Sequence, residues 1–165
     1  MNNSVTCVHT YPIIMDKEGI SMPANDTEEL LKECNAGIKM GIDSIDELLP
    51  KVKNEKLKRI LTECKTTHQR LGSRSHRLLE QMGASTKEPH PIAKSMSWIK
   101  TNFKFAADPS DETVADLITD GCNMGVKSLN SYVNKYENAD SEVVSLTKQL
   151  IRSEEKLCAD MREFL

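Results

Sequence analysis

The sequence predicts an all-α protein, a bundle of four long helices arranged as two hairpins, and three observations carry that prediction. Apolar residues recur at alternating spacings of four and three over most of the chain after residue 25, the period of a helix buried along one face. Aromatics are scarce, at one Trp, three Tyr and three Phe, and with only seven Gly and six Pro the composition suits neither a sandwich nor a barrel. At 165 residues the chain is long enough for one domain with a real core and too short for two ordinary ones.

Residues 1–24 show no helical period and read as an N-terminal arm, either a disordered tail or a strap laid over the domain. The bundle domain occupies 25–165. Its first helix opens with Asp26 as N-cap and Glu29 three residues on, the capping-box pattern that satisfies free backbone N–H groups. Leu31, Asn35, Ile38, Ile42, Ile45 and Leu49 form its seam, and Pro50 ends it. The second helix begins near Asn54, carries Leu57, Leu61, Cys64, His68, Leu71, Ser75, Leu78 and Met82 inward, and stops at Gly83. So short a connection makes 26–82 an antiparallel hairpin.

A crossover spans 83–110, with its own helix opening at Pro91 and carrying Ile92, Met96, Ile99, Phe103 and Ala106 on one stripe. Trp98 and Phe105 flank that stripe, so the connector is expected to pack on the bundle or at a contact between subunits, and a homodimer is the expected oligomer. Asp108, followed by Pro109, reads as the cap of the third helix, which runs to about Asn138. After the turn at 138–141 the fourth carries Val143, Thr147, Leu150, Glu154, Leu157, Met161 and Phe164, closing the second hairpin, 111–165.

The formal net charge of −3 gives no global field for nucleic acid or an anionic membrane, and neither is expected as a partner. No apolar run approaches the roughly 18 residues of a membrane span, and the chain lacks a secretory start, so a cytoplasmic protein is expected. Five scattered cysteines, with no CxxC pair, signal neither a disulfide framework nor a zinc ribbon. Charge is nevertheless divided. Residues 26–49 hold seven acids and two bases, and 51–82 nine bases and three acids, so the faces of the first hairpin are expected to attract. The basic face of the second helix, Lys51 to Arg77, would alternatively suit an acidic partner or a nucleic acid. There is no phosphate-binding Gly loop and no nucleophile elbow. His9, His76 and His90 read as solvated.

CNAGIKMGIDSI from Cys34 and CNMGVKSLNSYV from Cys122 match at an offset of 88, which reads as a duplicated hairpin. Gly37 and Gly125 recur in it, and glycine in a helix interior points to close backbone approach. Asn35, His68, Asn123 and Glu154 interrupt the four seams, each at about the same distance from its turn, and together they predict a central polar layer.

Two hairpins, a long helical crossover and a mid-bundle polar layer resemble the ferritin-like superfamily, in particular its short bacterial four-helix members. The resemblance covers about 26–165. In metal-binding members a Glu on the first and third helices and Glu-x-x-His on the second and fourth hold two iron or manganese ions. At the matching positions this sequence has Asn35, Asn123, Lys65 with His68, and Ile151 with Glu154. The resemblance thus implies an eroded metal site in which His68 and Glu154 form a buried pair, with no cofactor, no enzymatic activity, and a role as a structural or protein-interaction module. The alternative is a metal-binding protein with a storage, stress or redox role, holding a single zinc, iron or manganese ion through His68 and Glu154 with Cys64 or Cys158 one turn away.

Overall fold

The computed structural model describes residues 23–84 and 110–165. The 1–22 portion of the arm and the crossover helix expected over 91–106, with Trp98, Phe103 and Phe105, lie outside the described residues. Among the described residues there are four α-helices: α1 (Pro23–Leu48), α2 (Glu55–Gln81), α3 (Asp111–Lys135) and α4 (Ser141–Met161). Short 3-10 turns follow α1 at Leu49–Lys51 and α4 at Arg162–Phe164. The all-α four-helix bundle is as the sequence predicts.

The helix ends are set by local chemistry. Asn54 caps α2, its side chain accepting from the N–H groups of Lys56 and Leu57, and Gly83 leaves the helix with a φ of 66°, where a Cβ would be strained. Asp140 caps α4 by accepting from Glu142 N–H. Two expected caps fall elsewhere. α1 begins at Pro23, so Asp26 lies inside its first turn, where its buried carboxylate accepts from the backbone N–H and side-chain amide of Asn138, both at 3.1 Å. Ser110, rather than Asp108, caps α3, its hydroxyl accepting from Thr113 N–H at 3.1 Å. Asp111 then accepts from the N–H groups of Lys53 and Asn54 at 2.7 and 3.0 Å, tying the first hairpin's turn to the start of α3.

These ties fix the topology. The start of α1 meets the end of α3 through Asp26 and Asn138, and the turn before α2 meets the start of α3. The helices therefore run up, down, down, up, and α2 ends and α3 begins at opposite ends of the bundle. Two apolar clusters fill the interior. One gathers Ile45, Leu48, Leu57, Leu61, Val114, Ile118, Leu157 and Met161; the other Leu30, Leu31, Ile38, Leu71, Leu79, Leu129, Leu146 and Leu150. Inward positions differ from the expected seams by one residue in places: Cys34 replaces Asn35, Leu48 replaces Leu49, and Leu79 replaces Leu78, with Met82 exposed.

Two substitutions test this packing by urea denaturation. Leu61→Ala, at a fully buried position, is expected to cost about 2–5 kcal/mol. Asn54→Ala, which removes the cap of α2, is expected to cost about 1 kcal/mol.

Candidate functional site

Between the two apolar clusters lies one polar level. His68 on α2 is 1% exposed, and its Nε2 stands 2.7 Å from Glu154 Oε1 on α4. Its Nδ1 lies 3.0 Å from the Cys64 carbonyl oxygen and 3.5 Å from the Cys64 thiol. Both ring nitrogens are thus engaged, which suits an imidazolium donating at each. Burial opposes charge on the ring, but the hydrogen bonds to Cys64 and Glu154, with the carboxylate's charge, outweigh it and raise the pKa from 6.5 to about 10. Lys65, one turn before His68, swings outward and pairs with Asp46.

Of the four residues expected in the layer, the structure brings His68 and Glu154 together and leaves the two asparagines out. Asn123 is exposed, its Oδ1 3.6 Å from the Cys158 thiol, and Asn35 sits half-buried beside the inward Cys34. On α1 and α3 the positions facing the pair are glycines. A Cβ on Gly41 would stand 2.8 Å from His68 Cδ2 and 2.9 Å from Nε2; one on Gly125 would stand 3.7 Å from the Glu154 carboxyl carbon. Equal distance from the turn misplaced the layer because the first turn is lopsided. After α1 the chain continues through a 3-10 turn before reversing, so Gly41, seven residues before Leu48, levels with His68, thirteen residues into α2. On α3 the slip is two residues, about 200° around a helix, which takes Asn123 to the opposite face.

The cysteine, and not the asparagine, is the inward member of each repeated Cys-Asn pair. Cys34 Sγ lies 2.9 Å from Thr147 Oγ1, whose own proton goes to the Val143 carbonyl, so the thiol donates. Burial raises the Cys34 pKa to about 12, and burial with the neighbouring Glu154 carboxylate raises that of Cys122. Among the described residues no three His, Cys, Asp or Glu side chains converge to hold a metal ion. The proposed set of His68, Glu154, Cys64 and Cys158 therefore supplies the His68–Glu154 contact and the nearby Cys64, while Cys158 turns toward Asn123.

Small residues beside the pair open a cleft of about 250 Å³ between α1 and α3. Gly37 and Gly41 line one wall and Gly121 and Gly125 the other, while His68, Glu154, Cys64 and Cys122 contribute polar groups to the lining. Gly37, expected at a close backbone approach, has nothing within 4 Å of a Cβ, and the same holds for Gly121. Two matching Gly-x-x-x-Gly spacings, Gly37 with Gly41 and Gly121 with Gly125, are the sequence signal for this cleft. Reading only the glycines that align in the repeat overlooks it.

The class this defines is a four-helix bundle with a buried imidazole–carboxylate pair at mid-height. No family model matches the sequence, and no curated protein matches it. Among solved structures, the crystal structure of a DUF305 fragment from Deinococcus radiodurans shares the fold, with a TM-score of 0.68 over 84% of this chain and 93% of that one. Identity is 10%, so the likeness is one of fold alone. No helix among the described residues is long and apolar enough to cross a membrane.

Three outcomes test the site. Glu154→Gln, which leaves the imidazolium without its counter-charge, is expected to cost about 3–5 kcal/mol in urea unfolding. Gly41→Ala forces His68 to move and should destabilise by about 1–3 kcal/mol, whereas Gly37→Ala meets only space and should stabilise by about 0.5–1 kcal/mol. Because the imidazole's pKa is higher folded than unfolded, the pair's contribution is complete below about 6.5 and is lost as pH climbs through about 10. Melting temperature should accordingly fall more steeply over that window in the native chain than in His68→Gln.

Proposed function

We propose that this protein is a ferritin-like bundle without a working metal centre, acting as a structural or protein-interaction module rather than an enzyme. The observation that carries this reading is the composition of the mid-bundle level: one imidazole, one carboxylate, the Cys64 and Cys122 thiols beside them, and two glycines. A dinuclear iron or manganese centre needs several anionic oxygens from all four helices, and α1 and α3 bring to this level glycines and the Cys122 thiol but no carboxylate. The donors present do not fit such a centre. Nor does His68 keep a free ring nitrogen with which to act as a base, since both are engaged within the protein.

A pinned polar level supports a scaffold role by penalising misregistered helices, which would strand a charge in apolar surroundings. The up-down-down-up order supports the ferritin-like reading, because that topology needs one connection the length of the bundle. Under this reading the protein works through its outer surfaces, on a protein partner or a second copy of itself.

Elemental analysis of protein purified without added metal tests the reading, together with thermal shifts in zinc, iron(II) and manganese(II). Less than a tenth of an equivalent of bound metal, and unchanged melting temperatures, are expected. One equivalent of a transition metal that His68→Gln removes would overturn it in favour of a mononuclear metal protein.

A further inference from the structure

We propose that the cleft between α1 and α3 binds a small organic cation, a protonated amine on a flat apolar body of about ten non-hydrogen atoms. Size gives the upper limit. An apolar cavity of about 150 Å³ accepts benzene, and in proportion 250 Å³ accepts roughly ten heavy atoms. Shape gives the body: glycines at 37, 41, 121 and 125 leave backbone exposed on both walls among apolar side chains, and open space stands in front of Gly37 and Gly121. A flat ring is the body chosen to lie against such backbone.

Charge gives the head group. The lining holds Glu154 in its depth and Glu33 among its other residues, a single imidazolium at His68, and neither Lys nor Arg. Two carboxylates against one imidazolium leave a net negative site, and a carboxylate ligand would enter it against repulsion. Glu154 Oε1 is held by His68 and the carboxylate also meets the neutral Cys122 thiol, a weak donor, while Oε2 faces the cleft wall, 3.8 Å from where a Cβ on Gly125 would lie. An ammonium in the cleft would therefore find an acceptor that the imidazolium does not occupy. The thioethers of Met40 and Met124 and the ring of Tyr132, also in the lining, are soft or π-rich partners for a cation and for an aromatic body alike. Met124, 45% exposed, is one of the few large apolar side chains left in water among the described residues.

This assignment rests on the reading of the mid-bundle level as free of metal, and the test separates the two. The full chain is titrated with phenethylamine, ethylbenzene and 3-phenylpropionate at neutral pH, followed by calorimetry and by amide shifts of the glycines, with metal content measured on the same sample. Phenethylamine is expected to saturate one site at least tenfold more tightly than either analogue, shifting Gly37 and Gly121. Glu154→Gln should weaken it at least tenfold, and Gly37→Leu, whose side chain enters the open space without touching the pair, should abolish it. No saturable binding, equal binding of all three compounds, or shifts confined to other residues would overturn the proposal. Stoichiometric metal in the sample would sink the metal-free reading whatever the amine does, whereas a metal-free sample that ignores the amine sinks only the cleft assignment.

Discussion

The contact between His68 and Glu154 is the constraint around which the interior is arranged. Taking either charge out of water alone costs several kcal/mol, and the two offset that cost only when they meet with good geometry and their remaining hydrogen bonds are made. Here Nε2 meets the carboxylate and Nδ1 meets the backbone of its own helix. Apolar clusters close above and below this level, so sliding α2 against α4 by one turn would bury both charges against leucine. The pair is thus a register pin more than a source of stability, since a well-packed apolar replacement is often as stable.

A histidine lying across the bundle dictates what the other two helices carry. It reaches so close to α1 that position 41 has no room for a Cβ, and glycine there is a steric requirement. Position 125 has ordinary contact distance to Glu154, while 37 and 121 face open space. Only one of the four glycines is therefore required by packing. The remainder leave a cleft where α1 and α3 would otherwise interdigitate, at the loss of the dispersion contacts a filled seam would make.

Charge follows the packing of the helices more than their order in sequence. The basic face of α2 is met by α1 through Lys65 and Asp46, by α4 through Arg74 with Glu142, and by the 3-10 turn after α4 through Lys56 with Glu163. The expectation that the faces of the first hairpin attract accounts for part of this. Hairpin partners are neighbours by chain connectivity, but α2 also packs along α4, which brings Glu142 to Arg74. These exposed pairs contribute about 0–1 kcal/mol each, so they orient faces rather than hold the bundle.

What the sequence determined by itself is whatever depends on local period and local breaks: four helices, the start of the second near Asn54, the Gly83 stop, and the identity of His68 and Glu154 as the polar interruptions of α2 and α4. Period is a property of consecutive residues, and a buried imidazole with a buried carboxylate at matching depth has few alternatives to pairing. What only the tertiary structure decided is which residues oppose that pair. Asn35 and Asn123 lie within one or two positions of inward-facing ones, and at about 100° per residue such an offset separates core from solvent. The lopsided turn after α1, with its 3-10 segment, sets only the level on that helix, moving it from Asn35 to Gly41. The cleft likewise exists because glycines on two helices distant in sequence come to face one another, a relation that no single helix encodes.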